Sequence, residues 1–206
     1  MATRIKKTIH PQAENHPVKG SSIKVEPITD TRKIKAIKKQ LADEPRNFCL
    51  FVLGINTNLR ASDLRQVKVA DVRHLGEGDT MELREQKTGK ARRITLNAAV
   101  VEAVLKLLAS DESNDTDYLF KSQRGGQAVS VSSINRLVKM WCEDVGLRGN
   151  YGSHTLRKTW GYHQRLAGTD IPTLMVMFNH SSQKQTLDYL CIQAEEIQDA
   201  YLKVCL

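Results

Sequence analysis

The chain has 206 residues, 40% hydrophobic and 26% charged, with a net charge of +8 at neutral pH. That balance excludes a fibrous or low-complexity chain, and the length accommodates one full domain with a short appendage but no second substantial one. The positive charge points to a polyanion such as nucleic acid or an acidic membrane surface, and equally fits a basic protein with a solvated face.

Residues 1 to about 24 carry Arg4, Lys6, Lys7, Lys19 and Lys24, two prolines and few large apolar groups. They read as a basic, flexible arm, with residues 1–28 set apart from a domain over 29–206. Such an arm could follow a phosphate backbone through counterion release, or be an unstructured leader without a role. Thr29 or Asp30 can cap a helix to about Ala42, with Ile34, Ile37 and Leu41 on one face. Asp43 to Pro45 form a turn, and Pro45 suits the first position of a second helix reaching about Asn56. Its run from Phe48 to Leu53 is apolar on nearly all sides, which requires burial. Ala61 or Ser62 begins a short helix that turns Leu64 and Val67 inward. Val69 to Val72 reads as a brief extended piece.

Thr80 to Gln86 alternates in the manner of a strand, with Met81 and Leu83 against Glu82 and Arg84. Lys87 to Lys90 form a turn, and Ala91 to Leu96 return with Ile94 and Leu96 on one face. Lys87 therefore stands at the tip of a hairpin. Asn97 caps an amphipathic helix to about Ala109. Beyond a polar loop lie a short apolar piece, Tyr118 to Phe120, and a turn at Arg124 to Gly126. Ser130 to Val145 is a helix built on Val131, Ile134, Leu137, Val138 and Trp141. His154 to Ala167 and Ile171 to Phe178 are helices separated by Gly168. A short helix over Gln183 to Leu190 and an amphipathic one over Gln193 to Val204 complete the chain. Their sum is a mainly α fold with a small antiparallel β-sheet, an α+β class.

The cysteines, Cys49, Cys142, Cys191 and Cys205, form no CxxC pair and have no histidine at zinc-ligand spacing. Cys49 and Cys142 read as small core residues. No signal peptide heads the chain, and no apolar run is long enough to span a membrane, so an intracellular protein with reduced thiols is expected.

Chemistry concentrates between His154 and Tyr189. His154 and Arg157 stand three apart and share a face if helical. His180 precedes Tyr189 by nine residues. Arginine clamps phosphate oxygens, histidine moves protons, and a tyrosine can attack phosphorus and hold it covalently. Taken singly, each group has a plain structural role: Arg157 can bind a carboxylate, His154 can be a core histidine, His180 a loop histidine and Tyr189 a packed aromatic. Tyr162 and Tyr201 are rival phenols, and Lys90 rivals Lys87.

As an ordered set, Arg60 in Leu59-Arg60-Ala61-Ser62-Asp63-Leu64, Lys87 in the hairpin turn, His154-x-x-Arg157, His180 and Tyr189 resemble the tyrosine recombinases, the phage-integrase family. The resemblance runs from about Thr29 to the C-terminus. It implies the family's catalytic-domain fold without its usual N-terminal core-binding domain, as in the short fimbrial phase-switching invertases. It also implies cleavage and rejoining of double-stranded DNA through a covalent 3′-phosphotyrosyl intermediate, with no metal or nucleotide cofactor. In that scheme Tyr189 is the nucleophile, His154 accepts its proton, and Arg60 and Arg157 clamp the phosphate. Lys87 protonates the departing 5′-oxygen, and His180 hydrogen-bonds the phosphate. The family further implies a tetramer on DNA, exchange of the segment 192–206 between protomers, accessory DNA-bending proteins, and a cytoplasmic, nucleoid-associated location. Lys139, Arg148, Lys158, Arg165 and Lys184 could line a DNA groove or form a solvated face. The alternatives are a non-catalytic, sequence-specific DNA-binding regulator, favoured by a helix-turn-helix-like joint at Gly168, and a type IB topoisomerase-like strand transferase. Three positions depart from the family pattern. Asn58 stands where Gly is common, Asp63 where Glu is common, and Phe178-Asn179 where Leu-Gly is common. Asparagine accepts left-handed backbone better than most residues, so the turn before His180 is expected to survive.

Overall fold

A computed structural model describes residues 25–123, 125–190, 192 and 194–205. The arm over residues 1–24, Arg124, Cys191, Gln193 and Leu206 lie outside them. The helices are α1 (Thr31–Gln40), α2 (Pro45–Asn56), α3 (Ala61–Leu64), α4 (Ala98–Ser110), α5 (Val131–Asp144), α6 (Ser153–Leu166), α7 (Ile171–Phe178), α8 (Gln183–Leu190) and α9 (Ala194–Leu202). Strands β1 (Thr80–Arg84) and β2 (Ala91–Thr95) pair antiparallel, with Thr80 opposite Thr95 and Arg84 opposite Ala91. No helix among the described residues is long and apolar enough to cross a membrane.

Side chains that accept from the first free N–H groups start α1, α4, α5 and α7. Asp30 accepts from Arg32 N–H at 2.8 Å and Asn97 from Val100 N–H at 3.1 Å. Ser130 and Asp170 do the same for α5 and α7 at 3.0 and 2.7 Å. The all-round apolar helix α2 is the centre of the core, as its composition demands. Cys49, Leu50, Phe51, Val52 and Leu53 are buried, and the helix packs on α4 and α6. Trp141 of α5 meets Phe51 edge-on at 5.9 Å. Gly54 lets α6 come close, since a Cβ there would stand 2.5 Å from Leu156 Cδ1. Cys49 and Cys142 are fully buried, and burial pushes both thiols up, Cys142 to about 12. They are inert core residues.

A second, smaller apolar cluster joins α6, α7 and α8 through Trp160, Leu174, Phe178 and Leu190, with Tyr189 packed at its edge. This cluster carries α8 against the first turn of α6.

Two segments differ from expectation. Val69–Asp71 is a 3-10 turn rather than an extended piece. The Asp71 carboxylate accepts the Lys68 N–H at 2.7 Å and winds the chain there. The extended pairing is limited to a bridge between Lys68 and Tyr118, with Leu119 N–H donating to Val67 O and Val69 N–H to Asp117 O. Residues 25–28, placed with the arm by sequence, pack on the domain. Ile28 is fully buried, and its N–H donates to Thr159 Oγ1 at 2.8 Å. Position 28 is apolar and adjoins the α1 cap, a signal masked by the basic composition upstream.

Candidate active site

Helix α6 supplies two of the expected residues at different depths. Its start is fixed by Thr155 Oγ1, which accepts Gly152 N–H at 3.0 Å, and by Ser153 N–H donating to Asn135 Oδ1 at 2.9 Å. His154, in the first turn, faces an open cleft of about 460 Å³. Arg157, one turn deeper, is 1% exposed. Its Nη1 donates to Asn58 O at 2.8 Å and its Nη2 to Phe178 O at 2.7 Å. The guanidinium lies 5.0 Å from the Phe178 ring centre and 5.7 Å from that of Tyr189. Burial, then Arg60 and Arg92, lowers its pKa, yet it remains a cation at neutral pH. The expected two-arginine clamp thus has one arginine lining the cleft and the other beneath it.

Asn58 and Asn179, the departures from the family's glycines, are the two non-glycine residues with positive φ among those described, both at 56°. Each adds a bond glycine lacks. Asn58 Nδ2 donates to Met177 O at 2.9 Å, and Asn179 Nδ2 to Glu85 Oε2 at 3.2 Å. Asn179 caps α7 in the left-handed region, and the following N–H of His180 returns to Met175 O at 3.0 Å. The turn that presents His180 is therefore intact.

Arg60 lies at the entry to α3, and its Nη1 is 2.8 Å from Glu85 Oε2 and 3.9 Å from Asp63 Oδ2. Glu85 is 1% exposed. Its other oxygen accepts from Arg92 Nη1 at 2.8 Å, and Thr88 Oγ1 donates to Oε2 at 2.8 Å. Burial alone would raise this carboxyl, but the hydrogen bonds from Arg92, Thr88 and Arg60 outweigh it and hold the pKa down to about 2. Reading the residues did not single out Glu85. The available signal was the strand period: Glu85, the residue after β1, continues the alternation of Met81 and Leu83 on its inward face, which makes a carboxylate there anomalous.

Lys87 is exposed at the hairpin turn and lines the cleft. Its neighbours are tied on both sides, Gln86 N–H to Asp63 Oδ1 at 2.9 Å and Thr88 to Glu85. Lys90 is exposed and is not among the cleft's lining residues.

Tyr189, on α8, places its Oη 3.0 Å from His154 Nδ1. Burial, then the cations Arg157, Arg60, Lys158 and Lys87, lowers the His154 pKa. The ring is neutral at pH 7, and its Nδ1 can accept the phenol proton. His180 stacks on Phe178 at 4.9 Å, and its Nδ1 is 3.0 Å from the buried Thr186 Oγ1. Burial, then Arg157 and Arg60, holds His180 down to about 4, so it too is neutral. Lys158 Nζ lies 5.6 Å from the Tyr189 ring centre. Of the rival phenols, Tyr162 is buried against His163, and Tyr201 is 81% exposed beside a different cleft, with Arg165 and Ile197.

Arg60, Lys87, His154, His180 and Tyr189 thus line one cleft, with Arg157 under its floor. Of the flanking basic residues, Arg165 is engaged by Glu196 at 2.6 Å, Lys139 pairs with Glu143 at 3.8 Å, and Lys158 is buried beside Tyr189. Arg148 and Lys184 are exposed. The cleft brings together a phenol hydrogen-bonded to a neutral imidazole and two cations, the groups that nucleophilic attack on a phosphodiester would call on.

The model of the phage integrase family matches residues 28–196. The chain is 33% identical over 178 residues to YoeC, a probable integrase/recombinase of Bacillus subtilis (strain 168), covering 86% of this chain and 95% of that one. Its fold matches the crystal structure of XerA recombinase with a TM-score of 0.73 at 23% identity, over 91% of this chain and 66% of that one. It also matches XerH site-specific recombinase in a post-cleavage complex with its palindromic difH substrate, with a TM-score of 0.72 at 20% identity, over 88% of this chain and 53% of that one. The chain spans nearly all of YoeC and two thirds or less of the two recombinases of known structure.

Proposed function

The chain belongs to the phage integrase family, the tyrosine recombinases, and we propose that its cleft cleaves and rejoins double-stranded DNA at a specific site through a phosphotyrosyl bond at Tyr189. The observation that carries this reading is the 3.0 Å contact between Tyr189 Oη and His154 Nδ1 at a cleft also lined by Arg60, Lys87 and His180. Tyr189 Oη attacks phosphorus and passes its proton to His154 Nδ1. Arg60 and His180 hold the nonbridging oxygens, and buried Arg157 adds positive potential from below. Lys87 Nζ gives a proton to the leaving 5′-oxygen, which leaves a 3′-phosphotyrosyl bond. Attack on that bond by another strand's 5′-hydroxyl restores the phosphodiester, so no external energy source is needed.

The test is adduct formation on suicide duplexes, nicked so that the cleaved end diffuses away and drawn first from a random-sequence pool. The expected result is a protein–DNA adduct mapped to Tyr189 on a selected sequence. Sequence-specific binding without any adduct would instead establish a regulator. Relaxation of supercoiled plasmid lacking the selected site would establish a topoisomerase-like transferase.

The pH dependence follows from His154. Its folded pKa is lowered, so the base form persists below the ordinary value of about 6.5 and is lost only as pH falls through the depressed value. The acid limb of the adduct rate is expected below pH 6.5. A limb above 6.5 would remove His154 from the base role.

The working form is a tetramer on two duplexes, acting at the nucleoid in the cytoplasm with accessory DNA-bending proteins, and the 192–206 segment packs between protomers. Support comes from α9, where Ile197, Tyr201 and Leu202 are 53–81% exposed. A chain truncated after Leu190 is expected to bind one duplex and not assemble the four-protomer complex in sedimentation on DNA. Unchanged assembly would sink the idea.

A further inference from the structure

A buried carboxylate beside the arginine of a phosphate-binding cleft is electrostatically unfavourable for the substrate, since two anions then compete for one cation. Glu85 is such a group, fully enclosed and bonded to donors from four segments. These are Arg60 at the entry of α3, Arg92 on β2, Thr88 in the hairpin turn and Asn179 at the end of α7. We propose that Glu85 is a positioning residue that holds the Lys87 turn, the Arg60 guanidinium and the His180 turn in one register; the inference rests on the recombinase reading of the cleft.

Each link can be followed. Thr88 donates its hydroxyl to the Glu85 side chain, and Gly89 donates its N–H to Glu85 O at 2.8 Å, so the turn that carries Lys87 closes onto this residue. Arg60 is held by the same Oε2 that accepts from Thr88 and Asn179. Asn179 directly precedes His180. On the other oxygen, Arg92 is braced in turn by Asn58 O at 3.2 Å and Met177 O at 2.8 Å. Every partner of the carboxylate is a donor. A glutamine would put an NH₂ against either Arg92 or the Arg60–Thr88–Asn179 group, whichever way it is flipped, so the isostere breaks the junction while preserving its shape.

The readout separates positioning of Lys87 from general damage. Two duplexes of the selected sequence are compared, one with an ordinary scissile phosphodiester and one with a sulfur in place of the bridging 5′-oxygen. A thiolate leaves without needing a proton, because thiols ionise near pH 8.5, so the second duplex bypasses the general acid. Thr88→Val, at an exposed turn position, is expected to slow adduct formation on the ordinary duplex by about 10–100-fold, the range a displaced catalytic group causes. It should cleave the sulfur duplex close to the wild-type rate. Glu85→Gln is expected to be slower than Thr88→Val on the ordinary duplex and to recover only partly on the sulfur duplex, because Arg60 and the His180 turn also shift. Glu85→Asp should regain part of the loss.

Wild-type rates for Thr88→Val on the ordinary duplex, or an equal loss on both duplexes, would overturn the inference. If Glu85→Gln does not fold, as judged by circular dichroism, Thr88→Val decides alone. A wild-type chain that forms no adduct on either duplex overturns the recombinase reading and this inference together. Adducts with unaffected variants overturn the inference alone.

Discussion

A Tyr189→Phe chain is expected to bind duplex DNA with wild-type affinity and to form no covalent adduct at all. The substitution removes one oxygen and leaves the ring in place against Phe178 at 5.5 Å and His180 at 5.4 Å. What it deletes is the hydroxyl proposed as nucleophile and its hydrogen bond to His154. Losing that partly exposed bond costs about 1 kcal/mol of stability, so folding and binding persist. No substitute phenol lines the cleft: Tyr118, Tyr151, Tyr162 and Tyr201 are not among its lining residues, and Tyr201 lies on α9 beside another cleft. A mobility-shift titration paired with a denaturing gel makes the measurement. Any residual adduct would remove Tyr189 from its role.

The two arginines should fail in different ways. Arg60→Ala is expected to lower the adduct rate by about 10²–10³-fold, equivalent to roughly 3–4 kcal/mol of transition-state stabilisation, while the unfolding temperature changes little. Its side chain is 16% exposed and lines the cleft, and Arg92 still partners Glu85 when it is gone. Arg157→Ala is expected to reduce activity and also to destabilise the fold by about 3–5 kcal/mol, through a cavity and an unpaired buried carbonyl at Phe178. The carbonyl of Asn58 would keep only its 3.2 Å contact with Arg92. Thermal unfolding alongside adduct kinetics distinguishes the pair. An Arg157→Ala chain as stable as the wild type would contradict the burial of Arg157 under the site.

The pairing of Asn58 with Asn179 shows how local preference and long-range structure cooperate. Each occupies a left-handed position where the family commonly has glycine, which a single sequence can anticipate because asparagine tolerates that region. Their side-chain partners, Met177 and Glu85, are far away in sequence, and no local rule predicts them. Val69–Asp71 shows the opposite case. The segment reads as extended, and the Asp71 carboxylate, accepting the Lys68 N–H, closes a 3-10 turn instead.

Sequence alone determined what depends on neighbours along the chain. A cap at Thr29 or Asp30, the cap at Asn97, the hairpin with Lys87 at its tip and the buried helix α2 follow from backbone chemistry, periodicity and residue type, and the ordered set from Arg60 to Tyr189 was legible through its resemblance to the tyrosine recombinases. Only the tertiary structure decided which of those groups share a cleft. It sent Arg157 inward because α6 advances one turn between His154 and Arg157, and the ends of α2 and α7 supply carbonyls at that depth. It placed Tyr189, and neither Tyr162 nor Tyr201, at that cleft by packing α8 on the Phe178 cluster. It also made Glu85 a junction of four segments, a role that a strand's alternation marks as odd but only chain segments brought together from Arg60 to Asn179 can explain.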